Sequence, residues 1–196
     1  MTEIRPKRDT DDIYEISSIY EQSWKYAYRG IIPQEYLDGI PTGQWANGLR
    51  QPGRHSLLLF DDRKLLGTSS YCRAREEDMD GYGEIVSIYL LPEAMHRGYG
   101  RMLMQAVVTE LKKMGYQKVY LWVLEENENA RRFYERFGFT ASGKSCADTY
   151  AGREVWEVQY VMEHQGYAAN LEESVESSGS IVTDYQYEQC EKEKRS

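Results

Sequence analysis

A chain of 196 residues is long enough for one well-buried domain with a segment to spare. Its formal net charge of −8 argues against general attraction to nucleic acid, and no apolar run reaches the length of a membrane span. Three scattered cysteines (Cys72, Cys146, Cys190) and three scattered histidines (His55, His96, His164) fit neither a disulfide framework nor metal-ligand spacing, so a reducing, cytoplasmic setting and no metal site are expected.

The opening Met1-Thr2-Glu3-Ile4-Arg5 lacks the apolar core of a secretory signal and reads as a short strand at residues 3–5. Asp9-Thr10-Asp11-Asp12 supplies N-cap candidates for a helix in which Ile13, Ile16, Ile19 and Tyr20 recur at helical spacing to about Trp24. Residues 26–30 form a turn, and Pro33 stands at the first position of a short helix through Tyr36 and Leu37. A further short helix is expected at residues 42–49. Strands at 55–60 and 64–72 flank a hairpin turn, Asp61-Asp62-Arg63. Residues 73–83 form an acidic loop carrying Glu76, Glu77, Asp78 and Asp80.

A strand at 84–91 is stopped by Pro92. The helix after it, from Gly98 to Met114, shows one apolar face in Leu103, Ala106, Val107, Leu111 and Met114, and Gly115 ends it. Residues 118–124 are almost continuously apolar, as a strand buried on both faces requires. Asn127 caps a helix at 128–137 that Gly138 ends, and strands at 139–145 and 154–163 enclose a loop at 148–153. Strand, helix, strand in this order implies a parallel pair with a right-handed crossover, and the flanking hairpins imply antiparallel neighbours. The expected fold is α/β (α+β): a mixed central sheet with helices on both faces. One domain spans residues 1–163. Residues 164–196, acidic and without sustained apolar period, read as a mobile tail, with local docking of Ile181, Val182, Tyr185 and Tyr187 as the other reading.

The segment richest in chemistry is His96-Arg97-Gly98-Tyr99-Gly100-Arg101, a strand-to-helix turn. The helix start offers unpaired N–H groups and the positive end of a dipole. Gly98 and Gly100 keep Cβ atoms out of an anion's path, and Arg97 and Arg101 add charge. By itself such a turn implies an anion site or simple packing in equal measure.

Pro92…Arg97-Gly98-Tyr99-Gly100-Arg101, followed by an amphipathic helix and a buried strand, resembles the acyl-CoA motif Gln/Arg-x-x-Gly-x-Gly/Ala of the GNAT N-acetyltransferase superfamily. Met95 occupies the Gln/Arg position, which removes a polar side chain but no backbone N–H. Asn127-x-x-Ala130-x-x-Phe133-Tyr134-x-x-x-Gly138-Phe139 is similar to the family's downstream signature, and the stretch from Ser23 to Leu37 to its small-molecule members. The resemblance spans residues 3–163.

What it implies is a GNAT-like sheet whose parallel pair splays apart, with acetyl-CoA in the gap. The pyrophosphate would lie on the backbone of His96, Arg97, Gly98, Tyr99, Gly100 and Arg101. The pantetheine arm would run between residues 86–90 on one side and 124–127 on the other, with Ile88, Tyr89, Leu90, Asn127, Ala130 and Tyr134 among the cofactor-binding residues. A free N–H near Ile88 or Leu90 would polarise the thioester carbonyl. Tyr134 is the expected acid toward the leaving thiolate, since a phenol with pKa near about 10 stays protonated at neutral pH; it could equally be a core tyrosine. Glu84, opening the donor-side strand, is the candidate base, or a solvated strand-end glutamate. Asn127 serves the arm, its helix, or both. Arg131 and Arg132 sit at a helix start unfavourable to cations, which hints at an anionic neighbour. Trp24, Tyr26 and Tyr28 come from the segment that lines the acceptor side in the family. The implied reaction is direct acetyl transfer to a small-molecule or peptide amine, without nucleic acid or membrane, and a homodimer is among the assemblies allowed. The alternative is a sensor of the same fold that holds acyl-CoA without turnover. A nucleotide-type phosphate site is disfavoured, because Gly-x-x-x-x-Gly-Lys-Ser/Thr is absent.

Overall fold

Period-two apolar runs and tight turns build the seven-stranded sheet of the computed structural model, which describes residues 1–163. The tail assigned to 164–196, with its docking segment, lies outside the described residues. Strands β1 (Thr2–Pro6), β2 (His55–Asp61), β3 (Lys64–Arg73), β4 (Tyr82–Leu90), β5 (Lys118–Leu124), β6 (Thr140–Tyr150) and β7 (Arg153–Glu163) take the order β1-β2-β3-β4-β5-β7-β6. Neighbours are antiparallel except β4 and β5. The sheet is mixed, as its sequence pattern implies. Among the described residues no helix is long and apolar enough to cross a membrane.

Among the described residues there are four α-helices: α1 (Ile13–Ala27), α2 (Gln34–Asp38), α3 (Tyr99–Lys113) and α4 (Glu128–Phe137). Asp12 caps α1 by accepting from the N–H of Tyr14 at 2.8 Å, and Ile16, Ile19 and Tyr20 are buried beneath it. The α3 stripe is wider than its period suggests: Met104 and Val108 are buried, Ala106 is half-buried and Met114 is exposed. Core contact with α1 on one face and α3 on the other buries β3 almost throughout.

Several local expectations are corrected. Pro33 is the cap of α2, not its first helical residue, with ψ of 134°. Residues 42–49 form turns and a 3-10 turn at Gly48–Arg50, because Gly43 at φ +80° breaks the helical path. The β2–β3 turn is only Asp62 and Arg63, both at positive φ, since Asp61 still pairs with Lys64. The loop at 148–153 shrinks likewise to Ala151 and Gly152. Pairing with β7 carries β6 to Tyr150 despite its poor strand-forming composition. Within β6 the register slips between Ala141 and Ser145, so Ser142–Lys144 bulge outward.

The parallel pair is short. β4 and β5 pair only at Tyr82↔Lys118, Gly83↔Val119 and Glu84↔Tyr120. Glu84 therefore does not open β4; it is the third residue of the strand and closes the pairing. Arg75 Nε donates to its Oε2 at 2.9 Å and Arg75 Nη2 to its Oε1 at 2.6 Å, while Tyr120 Oη donates to Oε2 at 2.8 Å. The Glu84 side chain is only 3% exposed, so this fork compensates a buried charge. Arg75→Met, which strands the carboxylate, is expected to lower unfolding free energy by about 3 kcal/mol in urea titrations. A loss under about 1 kcal/mol would place the pair among surface bridges instead.

Candidate functional site

Beyond Glu84 and Tyr120 the two strands diverge and open a cleft of about 510 Å³. Residues 85–90 of β4 form one wall and Leu121, Trp122 and Val123 of β5 the other; Met95, His96, Gly98, Gly100 and Arg101 lie at one end. Asn127, Ala130, Phe133 and Tyr134 reach in from α4, and Ser23 and Tyr28 from α1. Opposite β3, the β4 register steps from Tyr71↔Ile85 to Ser70↔Ser87, leaving Val86 as an extra residue. Hydroxyls pin this bulge. Ser87 Oγ accepts from the Ser70 N–H (3.3 Å) and shares a hydrogen bond with Tyr20 Oη (2.8 Å), and Ser69 Oγ donates to the Ser87 carbonyl (2.8 Å).

The glycine turn has two left-handed residues, His96 at φ +59° and Gly98 at φ +87°. No side chain caps α3, so its first-turn N–H groups have no side-chain acceptor and face the end of the cleft. The two glycines differ in what they require. A Cβ on Gly98 would touch nothing within 4 Å, and the dihedral alone demands glycine there. A Cβ on Gly100 would rest 3.6 Å from Leu90 and 3.7 Å from Phe133, ordinary contact. Arg101 lines the cleft, whereas the Arg97 guanidinium lies 5.5 Å from the Tyr99 ring, outside the lining. Tyr99 turns its buried side chain away and donates to Asp61 Oδ2 at 2.8 Å, tying α3 to β2; only its backbone belongs to the turn.

Tyr134 combines both of its expected characters. Its ring packs at 5.5 Å from Phe133 and 6.1 Å from Phe139, and it lines the cleft. Its hydroxyl has no hydrogen-bond partner among the described residues, and burial, with Tyr89 nearby, pushes the phenol up, so it holds its proton. Burial also pushes Tyr89 up to about 12, although its oxygen accepts from Trp24 Nε1 at 2.9 Å. Asn127 Oδ1 accepts from the Ala130 N–H at 3.2 Å and so caps α4 while facing the cleft. Arg131 is spent on Tyr160 and the Glu125 carbonyl, and Arg132 on Glu128. Their position at a helix start thus has an intramolecular explanation. Tyr26 is exposed, while Trp24 is buried behind Tyr28 and Tyr89.

Glu84 is not brought into the cleft; it stays at the vertex. Of the acidic loop, Glu76 accepts from Trp122 (2.6 Å) and Gln159 (3.3 Å), and Asp78 from Lys144 (2.6 Å). Sequence reasoning missed Glu157. It stands on β7 opposite Leu124 and Cys146, whose Sγ lies 4.0 Å from its Oε2. Burial, then the charge of Asp148, pushes its carboxyl up to about 7. The available signal was an acid two residues from Gln159 in the apolar middle of the strand, but only the insertion of β7 between β5 and β6 gives it meaning.

The model of the acetyltransferase (GNAT) family matches residues 13–139. An uncharacterized N-acetyltransferase of Bacillus subtilis, YuaI, is 29% identical over 130 residues, 65% of this chain and 74% of that protein. The spermidine N(1)-acetyltransferase of Thermoplasma acidophilum is 24% identical over 155 residues, 74% of this chain and 92% of its own length. Among solved structures, the PaiA N-acetyltransferase from Thermoplasma acidophilum in complex with coenzyme A shares the fold with a TM-score of 0.64 at 22% identity, over 83% of this chain and 99% of that one.

The contrast between the two glycines is open to measurement. Gly98→Ala is expected to cost about 1–2 kcal/mol of stability in chemical denaturation. Gly100→Ala should be neutral or stabilising by up to about 1 kcal/mol, because helix propensity improves without a clash. Equal losses at both positions would refute the assignment.

Proposed function

The chain belongs to the acetyltransferase (GNAT) family, and we propose on that premise that it moves an acetyl group from acetyl-CoA to a primary amine by direct attack in a ternary complex. One observation carries the reading: an unpaired strand edge, an uncapped helix start and a tyrosine hydroxyl with no partner among the described residues line the same cleft.

The residues present suit the donor. The N–H groups of the turn and helix start from His96 to Arg101, with the Arg101 guanidinium, suit a pyrophosphate, and open space beside Gly98 lets it approach the main chain. Arg97 adds charge at the rim. The main chain of Ile88 and the N–H of Leu90, on either side of Tyr89, are not taken by β5, so an extended amide-bearing arm could pair there as an added strand, with Asn127 and Ala130 across the gap. Bound there, acetyl-CoA supplies an activated thioester. Tyr134 Oη then donates a proton toward the sulfur, a role that suits a phenol kept neutral by burial. We assign Glu84 to holding the vertex rather than to proton removal: both of its oxygens already accept from Arg75 and Tyr120. The catalytic unit in this reading is residues 1–163, working in the cytoplasm.

On the acceptor side, Tyr28, Tyr36 and Tyr150 cluster with Trp24, an aromatic setting suited to a cationic amine. The similarity to a spermidine acetyltransferase supports the same substrate class.

Tyr134→Phe should lower kcat by about 10²-fold or more in a thiol-release assay over a panel of amines. CoA affinity, measured by calorimetry, should change less than about threefold, under roughly 0.7 kcal/mol. Tight CoA binding with no turnover of any amine, and no effect of Tyr134→Phe, would favour a sensor.

A further inference from the structure

We propose that Glu157 is the carboxylate that receives the acceptor's ammonium group and removes its proton. The inference rests on the acetyltransferase reading and adds to it the missing base. Glu157 lies opposite Leu124, the last residue of β5, on the face of β7 that also carries Val155 and Gln159. Val155 and Leu124 belong to one apolar cluster with Trp24, Ile32, Leu37 and Ile40, against which Tyr28, Tyr36, Tyr89 and Tyr150 pack. A carboxylate therefore stands on the same sheet face as this aromatic cluster, beside two of its members. No lysine or arginine among the described residues bonds to it; its one hydrogen-bond partner there is Cys146.

Two further observations point to a ligand. Gln159, wholly buried on the same face, has an Oε1 without any partner among the described residues, an acceptor left open beside the acid. Tyr28 lines the cleft together with Tyr134, and its phenol lies within electrostatic reach of both Tyr134 and Glu157. The groups facing Glu157 are Cys146, Asp148 and Tyr150 from β6, Tyr28 from the end of α1 and Tyr89 from β4, with Tyr36 of α2 reaching Tyr150 and Asp148. All are neutral or anionic. A cation is the missing partner.

A carboxyl pushed up to about 7 also has the basicity the task needs. An ammonium with pKa near about 10.4 is overwhelmingly protonated at neutral pH, and attack needs its lone pair. The nitrogen gives one proton to Glu157, which passes it to solvent. Its lone pair forms the C–N bond to the acetyl carbon, and the C–S bond breaks with its electrons on sulfur. Sulfur takes a proton from Tyr134 Oη, and the second proton leaving nitrogen restores the phenol. The products are an amide, a thiol and one released proton. The class of acceptor follows: a compact cationic primary amine whose carbon chain lies on tyrosine faces.

The experiment compares wild type with Glu157→Gln and Glu157→Asp, using whichever of spermidine, lysine amide and tyramine binds wild type tightest. First, binding of that amine without acetyl donor is followed by tryptophan fluorescence. Glu157→Gln should weaken it at least about tenfold, and Glu157→Asp should restore part of it. Second, kcat/KM of wild type should rise with pH through about 7, and Glu157→Gln should lose that limb and about 10²-fold in rate at neutral pH, with CoA affinity unchanged. Third, a carboxyl carbon resonance assigned to Glu157 in ligand-free protein should titrate near about 7 and move when the amine binds.

Folding is controlled by sign. Because the folded-state value is raised, ionised Glu157 costs stability above about pH 7 and costs nothing below the unfolded value near about 4.3. Glu157→Gln should thus raise Tm at about pH 8 relative to wild type and leave it unchanged at about pH 4. Unchanged amine binding and an unchanged pH limb in a folded Glu157→Gln would overturn the proposal. If no amine were acetylated by wild type, the acetyltransferase reading would fail separately, and donor-free amine binding would still decide whether Glu157 holds a cation.

Discussion

Everything at the site follows from two parallel strands that part after three residue pairs. A sheet normally consumes the hydrogen-bonding capacity of its backbone, and a buried amide left unmet costs about 1–3 kcal/mol. Here β5 remains fully paired on its β7 side and β4 on its β3 side except at the Val86 bulge, so most of the deficit falls on the two edges facing each other. The chain keeps those edges apart and spends polar contacts on fixing where they separate. Glu84, gripped by Arg75 and Tyr120, marks that point.

The position of β4 depends on α1 as much as on its strand partners. Tyr20 bonds both Ser70 and Ser87 across the buried face, Ser23 Oγ donates to the Leu90 carbonyl, and Trp24 donates to Tyr89. Each link carries specificity more than net stability, since a typical intramolecular hydrogen bond nets only about 1 kcal/mol. Together they hold the line of the strand through its bulge, so the free edge points at the cleft instead of relaxing toward β5. The N-terminal helix and the donor-side wall are one mechanical unit.

Helical and strand periods made α1, α3 and β5 legible, because Ile13, Ile16 and Ile19 or the run from Val119 to Leu124 leave little choice of burial. The glycine turn and the α4 signature were legible as local motifs, and the cleft does gather Gly98, Gly100, Asn127, Ala130 and Tyr134. Glu84 and Tyr99 were harder. Both sit next to informative residues, and only tertiary placement shows Glu84 occupied by Arg75 and Tyr99 reaching back to Asp61. Glu157 was legible only as an acid in the middle of a strand: apart from its hairpin partner β6, its neighbours come from β4 and the end of α1, far away in the chain, and no local period reports on a non-sequential strand order.

The bulge at Ser142–Lys144 has a reach beyond its own hairpin. β6 is the outermost strand and long enough to template another sheet, a hazard for any open edge. The slipped register breaks the ladder there, and Lys144 leaves the edge to bridge Asp78 and approach Glu76. That loop also supplies Arg75. One irregular strand therefore both discourages edge-to-edge growth and tethers the segment that sets how far the central strands stay closed.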